Sequence, residues 1–300
     1  MRVFLTGATG FVGTAVAREL RGAEHSVLGL ARNDAAAAAL AAEGVDAHRG
    51  ELTDLESLAA GARACDGVIH CAFIHDFSRF MENMEIDRRA VEAMIDALAG
   101  SAKPFILTSG IAMVAPGRVA TEADPPTDFG RGATETFARE AASRGVRTIV
   151  MRLPPSVHGN GDHGFVPRLI GIARDKNVSA YVGDGANRWA AGHRLDAARL
   201  YRRALEKAPA GTVLHAVGDE GVPTREIAAA IGRGLGLPVE SRTTEAAPDH
   251  FGFLGTFFGM DIAASNRATQ AELGWSPREP GLLADLGRGT YFDAQVAHAG

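Results

Sequence analysis

Short apolar runs alternate along the chain with longer segments whose apolar positions recur every three to four residues. The runs at 2–5, 26–31, 45–48, 67–71, 105–108 and 146–153 read as strands, bounded mostly by Gly, Pro, Asp or Asn. Helices are expected between them at 11–21, 34–43, 84–99 and 133–144, with another marked by Leu55, Leu58, Ala59 and Ala62. Val12, Val16 and Leu20 share one face of the first, and Val91, Met94, Ile95 and Leu98 share one face of the helix at 84–99. Asn33 or Asp34 can cap the alanine-rich helix that Gly44 ends. Strands alternating with helices predict an α/β protein with a doubly wound parallel sheet and right-handed crossovers. Ligands of such sheets bind beyond the carboxyl ends of the strands. The loops after Leu5, Ala31, His48, Cys71, Thr108 and Leu153 are therefore the ones to inspect.

After Leu153 the rhythm weakens. Residues 154–164 are rich in Pro and Gly, and a helix is expected at 165–174. Strands are expected at 180–182 and 213–217, around a helix at 196–206. Thr224 can cap a helix through 235, and Ser265 or Asn266 can cap a short one ending at Gly274. This half is expected to form a smaller, discontinuous C-terminal substrate lobe. The division expected is 1–160 with about 188–220 for the main domain, and about 161–187 with 221–300 for the lobe.

Composition narrows the field. The 300 residues are 46% hydrophobic and 22% charged, which excludes a disordered, collagen-like or coiled-coil chain. A net charge of −5 gives no electrostatic support to nucleic-acid binding. No apolar run approaches the ~20 residues needed to cross a bilayer, and the run at 3–5 is too short for a signal peptide. Cys65 and Cys71 are the only cysteines, so no disulfide framework is expected and a reducing, cytoplasmic location is. The partner expected is a small-molecule substrate, with no nucleic acid and no membrane; a homodimer is left open.

The chemistry starts at Gly7-Ala8-Thr9-Gly10-Phe11-Val12-Gly13, a G-x-x-G-x-x-G pattern between a strand and a helix. Glycines let the backbone approach a pyrophosphate, and the helix start offers free N–H groups and the positive dipole end. That context points to a dinucleotide. At the end of the second strand an acid would hold the ribose 2′-OH of NAD, whereas an arginine suits the 2′-phosphate of NADP. The chain has Arg32 and Asn33 there, with no acid before Asp34, so NADP(H) is expected over NAD(H).

These residues resemble the extended short-chain dehydrogenases/reductases, the NAD-dependent epimerase/dehydratase family with a Rossmann fold. Thr6–Gly13 is similar to the family's T-G-x-x-G-x-x-G. Gly50-Glu51-Leu52-Thr53-Asp54 resembles G-D-L-x-D, with Glu51 for the first Asp. The segment 68–72 is similar to V-I-H-x-A, and 152–159 resembles R-x-x-x-V-Y-G with His158 for Tyr. Gly183-Asp184-Gly185 with His193 and Asp196, and Leu273-Gly274-Trp275-Ser276-Pro277, complete the match. The resemblance implies that Gly7, Thr9, Gly10, Phe11, Val12, Gly13, Arg32, Asn33, Glu51, Leu52, Cys71, Ala72, Phe73, Thr108, Pro154, Pro155, Ser156 and Val157 contact the cofactor.

The departures matter more. The family's Tyr-x-x-x-Lys, in which lysine lowers the pKa of a proton-transferring tyrosine, would fall near Phe129-Gly130-Arg131-Gly132-Ala133. Tyr181, Tyr201 and Tyr291 are the only tyrosines, and Lys103, Lys176 and Lys207 the only lysines; none lies there. The family serine falls on Gly110, one past Ser109. The chain thus reads as an atypical member without the standard relay. Ser109, His75, His158 and His163 are the candidates to replace it, histidine because it titrates near neutrality. His158 with Asp162 and His163, or His70 with Cys71 and His75, lack the spacing of a zinc motif, and no metal is expected.

The function expected is reduction of a small apolar or aromatic carbonyl compound with NADPH. Phe251, Phe253, Phe257 and Phe258 could wall an apolar pocket or form lobe core. The alternatives are a non-catalytic NADP-binding regulatory protein, and an isomerase or epimerase that uses the cofactor transiently.

Overall fold

Strands β1 (Arg2–Thr6), β2 (Ser26–Ala31), β3 (Asp46–Arg49), β4 (Gly67–His70) and β5 (Pro104–Gly110) alternate with α1 (Phe11–Gly22), α2 (Asp34–Ala42), α3 (Leu55–Arg63) and α4 (Phe80–Leu98). The two-residue β6 (Val119–Ala120) and α5 (Arg131–Glu140) lead to β7 (Arg147–Leu153) and β8 (Ser156–His158). Then come α6 (Phe165–Lys176), β9 (Ser179–Val182), β10 (Arg188–His193), α7 (Arg194–Lys207) and β11 (Val213–His215). The chain ends through β12 (Asp219–Pro223), α8 (Thr224–Leu235), β13 (Val239–Arg242), α9 (Ala247–Phe251), α10 (Leu254–Phe258), β14 (Ala263–Ala264), α11 (Arg267–Leu273) and α12 (Leu282–Leu286). This computed structural model describes residues 1–112, 114–128, 130–288 and 291–293, with Phe77 described by its backbone alone.

The main sheet has seven strands in the order β11-β7-β5-β4-β1-β2-β3. Every pairing in it is parallel. The chain steps outward from β1 to β3, then crosses to β4 and steps outward the other way. That reversal between β1 and β4 opens a crevice at the carboxyl ends of the strands.

Side chains alternate across the sheet. Phe4, Val68, Phe105 and Leu107 pack beneath Leu58, Val91, Met94 and Ile95 of α3 and α4. Leu5, Ile69, Ile106 and Ile149 pack against Val16 and Leu20 of α1 and Leu200, Tyr201 and Leu205 of α7. Both faces are covered, which is why these strands read as nearly continuous apolar runs. A third cluster gathers around Trp189, with Val166, Ile227, Phe251, Leu254 and Phe258. The rings of Trp189 and Phe258 meet edge to face at 5.0 Å.

Some elements differ from expectation. β10 was not legible, because Arg188-Trp189-Ala190-Ala191-Gly192-His193 neither alternates nor forms an aliphatic run. It joins β8 and β12 in a separate three-stranded sheet. Thr224 is the first residue of α8 rather than its cap, and its hydroxyl donates to Asn187 Oδ1 at 2.7 Å. Among the described residues no helix is long and apolar enough to cross a membrane.

Candidate active site

A cavity of about 690 Å³ fills the crevice and runs from Arg32 and Glu51 to His163 and Arg168. Its floor is the turn from β1 into α1. Gly10 precedes α1 without a side-chain cap, and the first turn carries no acid. The N–H groups that a helix start leaves unpaired therefore meet only the cavity. A Cβ on Gly13 would lie 2.0 Å from the Gly7 carbonyl oxygen, so only glycine lets turn and helix close this tightly. The residues present fit a pyrophosphate at this point. At the far end of β2, Arg32 lines the cavity while Asp34 is turned away to pair with Arg49. Glu51 lines the same end and accepts from the Thr53 hydroxyl at 2.8 Å.

At the opposite end, beyond β4 and β5, Arg131 enters the wall. It is the first residue of α5, where a Cβ on Gly132 would meet the Thr127 carbonyl oxygen at 2.0 Å. Its Nε and Nη2 donate to Asp87 at 3.3 and 3.1 Å. Asp87 is buried on α4 and accepts from His70 Nε2 at 3.2 Å. Thr6 Oγ1 accepts from the Ala72 N–H and hydrogen-bonds His70 Nδ1 at 2.8 Å, so the ring is held at both nitrogens. Burial works against the Asp87 charge, but the Arg131 guanidinium and His70 outweigh it and hold the carboxyl below its usual range. The guanidinium also lies 4.9 Å from the centre of the Phe73 ring. Nη1 of Arg131 makes no hydrogen bond among the described residues. A guanidinium rigidly backed by Asp87 thus lines the cavity with Nη1 left to bond a ligand.

Thr108 is the β5 residue on the wall, and its hydroxyl meets Tyr201 OH at 2.7 Å from beneath. Burial raises the Tyr201 phenol far above its ordinary value, so it serves here as a neutral partner. Burial likewise raises the Cys71 thiol. The lobe side carries Asp162, His163, Phe165 and Arg168. Asp162 accepts from the Gly164 N–H at 2.7 Å and from Tyr291 OH at 3.1 Å. Its own burial pushes its pKa up to about 6. His75 is lowered, first by burial and then by the positive charges of Arg131, Arg168 and His163.

The sequence profile of the NAD dependent epimerase/dehydratase family matches residues 3–216. The chain belongs to that family. It is 46% identical to Uncharacterized protein C2A9.02 of Schizosaccharomyces pombe, over 97% of this chain and 100% of the relative. It is 47% identical to Uncharacterized protein YLL056C of Saccharomyces cerevisiae, over 95% of this chain and 98% of the relative. Among solved structures it is similar to DesIV, a dTDP-glucose 4,6-dehydratase from Streptomyces venezuelae with NAD and TYD bound, at TM-score 0.75 and 20% identity. That likeness covers 97% of this chain and 96% of the other and shows the shared fold. Family members use a pyridine nucleotide, and the cavity lies where the fold binds it.

The cavity wall brings together many of the residues expected from this family's motifs. Gly7, Thr9, Gly10, Phe11, Val12, Gly13, Arg32, Glu51, Leu52, Cys71, Ala72, Phe73, Thr108, Pro154, Pro155 and Val157 all line it, as do His75 and His163. Asn33 does not; its Oδ1 accepts from the Ala36 N–H at 2.8 Å as the α2 cap. Ser156 is buried off the wall, with an unpartnered hydroxyl among the described residues. Ser109 is also buried off the wall, because strand alternation gives that position to Thr108. His158 is 1% exposed; its Nδ1 pairs with Asp285 at 2.9 Å and its ring lies edge-on to His193 at 5.3 Å. His193 Nδ1 is itself occupied by the Leu195 N–H. These contacts turn His158 toward Asp285 and His193, and it does not line the cavity. Neither metal set weighed from the sequence is assembled; among the described residues the group that forms is His158, His193 and Asp285, in which His158 hydrogen-bonds Asp285.

Phe251 and Phe258 are lobe core, Phe257 packs on Phe165 and Trp189, and Phe253 is exposed. None of the four lines the cavity; Phe165 brings the aromatic wall instead. Phe129 lies outside the described residues. Sequence reasoning missed Arg131, Arg168 and the placement of Asp162. The signal for Arg131 was a single base between two glycines in the very stretch searched for tyrosine.

Proposed function

We propose that the chain is an NADP(H)-dependent oxidoreductase that reduces a small carbonyl compound with an apolar or aromatic body, and that Arg131 stands in for the missing tyrosine and lysine. One observation carries this reading: Arg131, its Nη1 unbonded among the described residues, shares a cavity with the phosphate cradle, on the side where the family places its proton relay. The first turn of α1 would hold the pyrophosphate and Arg32 the 2′-phosphate. When bound, the reduced nicotinamide supplies a hydride to the carbonyl carbon.

The chain's own residues do the rest. Phe73, Ile74 and Phe165 offer apolar surface for the substrate body and exclude water from it. Arg131 Nη1 donates to the carbonyl oxygen and gains strength as negative charge collects there. Asp87 and His70 fix the guanidinium, so it need not reorganise during the step. Arg131 does not give up a proton, because guanidinium stays charged. The proton that completes the alcohol comes from His163 on the wall, because burial and the nearby positive charges hold His75 toward its neutral form.

Turnover of NADPH against a panel of aldehydes and ketones tests the reading. Arg131→Gln should lower kcat by about 10²-fold while the NADPH Kd stays within about twofold, and Arg131→Lys should recover part of the loss. An unchanged kcat in Arg131→Gln would remove Arg131 from the mechanism.

A further inference from the structure

Building on the reading that the cleft holds NADPH, we propose that the substrate is a 2-oxo acid and that Arg168 of α6 holds the carboxylate next to its reactive carbonyl. The chain carries more acids than bases, 36 Asp and Glu against 31 Lys and Arg, yet the lobe end of the cavity inverts that balance. Arg168, His163, His75 and Arg131 all line it.

Some arginines of this half of the chain are tied to acids, whereas Arg168, like Arg194 over the Phe11 ring, is not among the described residues. Arg188 pairs with Asp261, Arg199 with Asp196 and Glu279, and Arg202 with Glu19 and Glu206. Arg168 has no carboxylate partner among the described residues; its guanidinium lies 5.6 Å from the centre of the Phe253 ring. A guanidinium stacked on one face keeps its N–H edge available for bidentate recognition of a planar anion. The acids on the same wall do not compete. Glu51 sits at the other end, and Asp162 makes no ion pair with Arg168 among the described residues, accepting instead from the Gly164 N–H and the Tyr291 hydroxyl.

The phosphates of the cofactor have other partners in this reading, so Arg168 is left for the substrate. Arg131 would take the carbonyl oxygen and Arg168 the adjacent carboxylate. Two separate cations match the two oxygen-bearing groups of a 2-oxo acid, and the carboxylate withdraws electrons from the carbonyl carbon that receives hydride.

Calorimetry on the protein saturated with NADP⁺ tests this without turnover. Phenylpyruvate should bind, and phenylacetaldehyde, which lacks the carboxylate, should bind at least tenfold more weakly. In Arg168→Gln the phenylpyruvate Kd should rise at least tenfold, with the NADPH and phenylacetaldehyde affinities within twofold of wild type. Failure of the loaded wild-type protein to bind phenylpyruvate, or equal weakening of both probes in Arg168→Gln, would overturn the inference. Loss of NADPH affinity in Arg168→Gln would assign Arg168 to the cofactor and overturn it too. In each of these cases wild-type NADPH binding persists and the cofactor reading survives; no binding of either nucleotide would remove both.

Discussion

Asp162→Asn should change how stability depends on pH. Asp162 is 6% exposed, and burial raises its folded-state pKa from 3.8 to about 6. Between those values the folded protein keeps a proton that the unfolded chain has released. Stability therefore falls as pH rises through this window, and the loss is complete above about 6. A gap of about two units at ~1.36 kcal/mol each makes the full loss about 3 kcal/mol. Roughly half of that falls between pH 5 and 7.5. Asn cannot ionise, so the variant escapes this loss. It gives up one of the two bonds from Gly164 and Tyr291, a pH-independent cost of about 1 kcal/mol. Urea unfolding of both proteins across this range gives the difference directly. The variant should gain on wild type by about 1–1.5 kcal/mol from pH 5 to 7.5. A difference that stays flat, or shrinks with rising pH, would refute the assignment of a raised carboxyl at this wall.

Two further changes probe the cradle. Gly13→Ala puts a methyl group 2.0 Å from the Gly7 carbonyl oxygen, so NADPH affinity should fall more than about tenfold while circular dichroism shows the fold retained. Unaltered affinity would mean that this turn does not hold phosphate. Arg32→Ala should cost NADPH about 1.5–3 kcal/mol of binding and leave NADH nearly unchanged. Equal weakening of both nucleotides would remove the 2′-phosphate assignment.

The alternating halves of the main domain were legible because buried parallel strands write themselves as apolar runs, and because Gly7, Gly10 and Gly13 stand where a turn must meet phosphate. The C-terminal half was less so. Trp189 sits on a strand with no alternating pattern, and its partners Phe251 and Phe258 come from far along the chain. The phenylalanine cluster could be core or pocket on composition alone, and the structure makes its buried members core. In the site, side-chain direction decided what spacing could not. Ser109 and Thr108 are neighbours in sequence but face opposite sides of β5. His158 and His163 lie five residues apart, yet Asp285, 127 residues beyond His158, draws it off the cavity wall. Arg131 escaped notice because a search for proton-transferring groups passes over a residue that acts through fixed charge.

Titration of the purified chain with NADPH in a calorimeter tests the central claim most directly. One molecule per chain should bind saturably, and more tightly than NADH. Absence of any saturable binding with either nucleotide would contradict a cradle at the start of α1 and everything built on it.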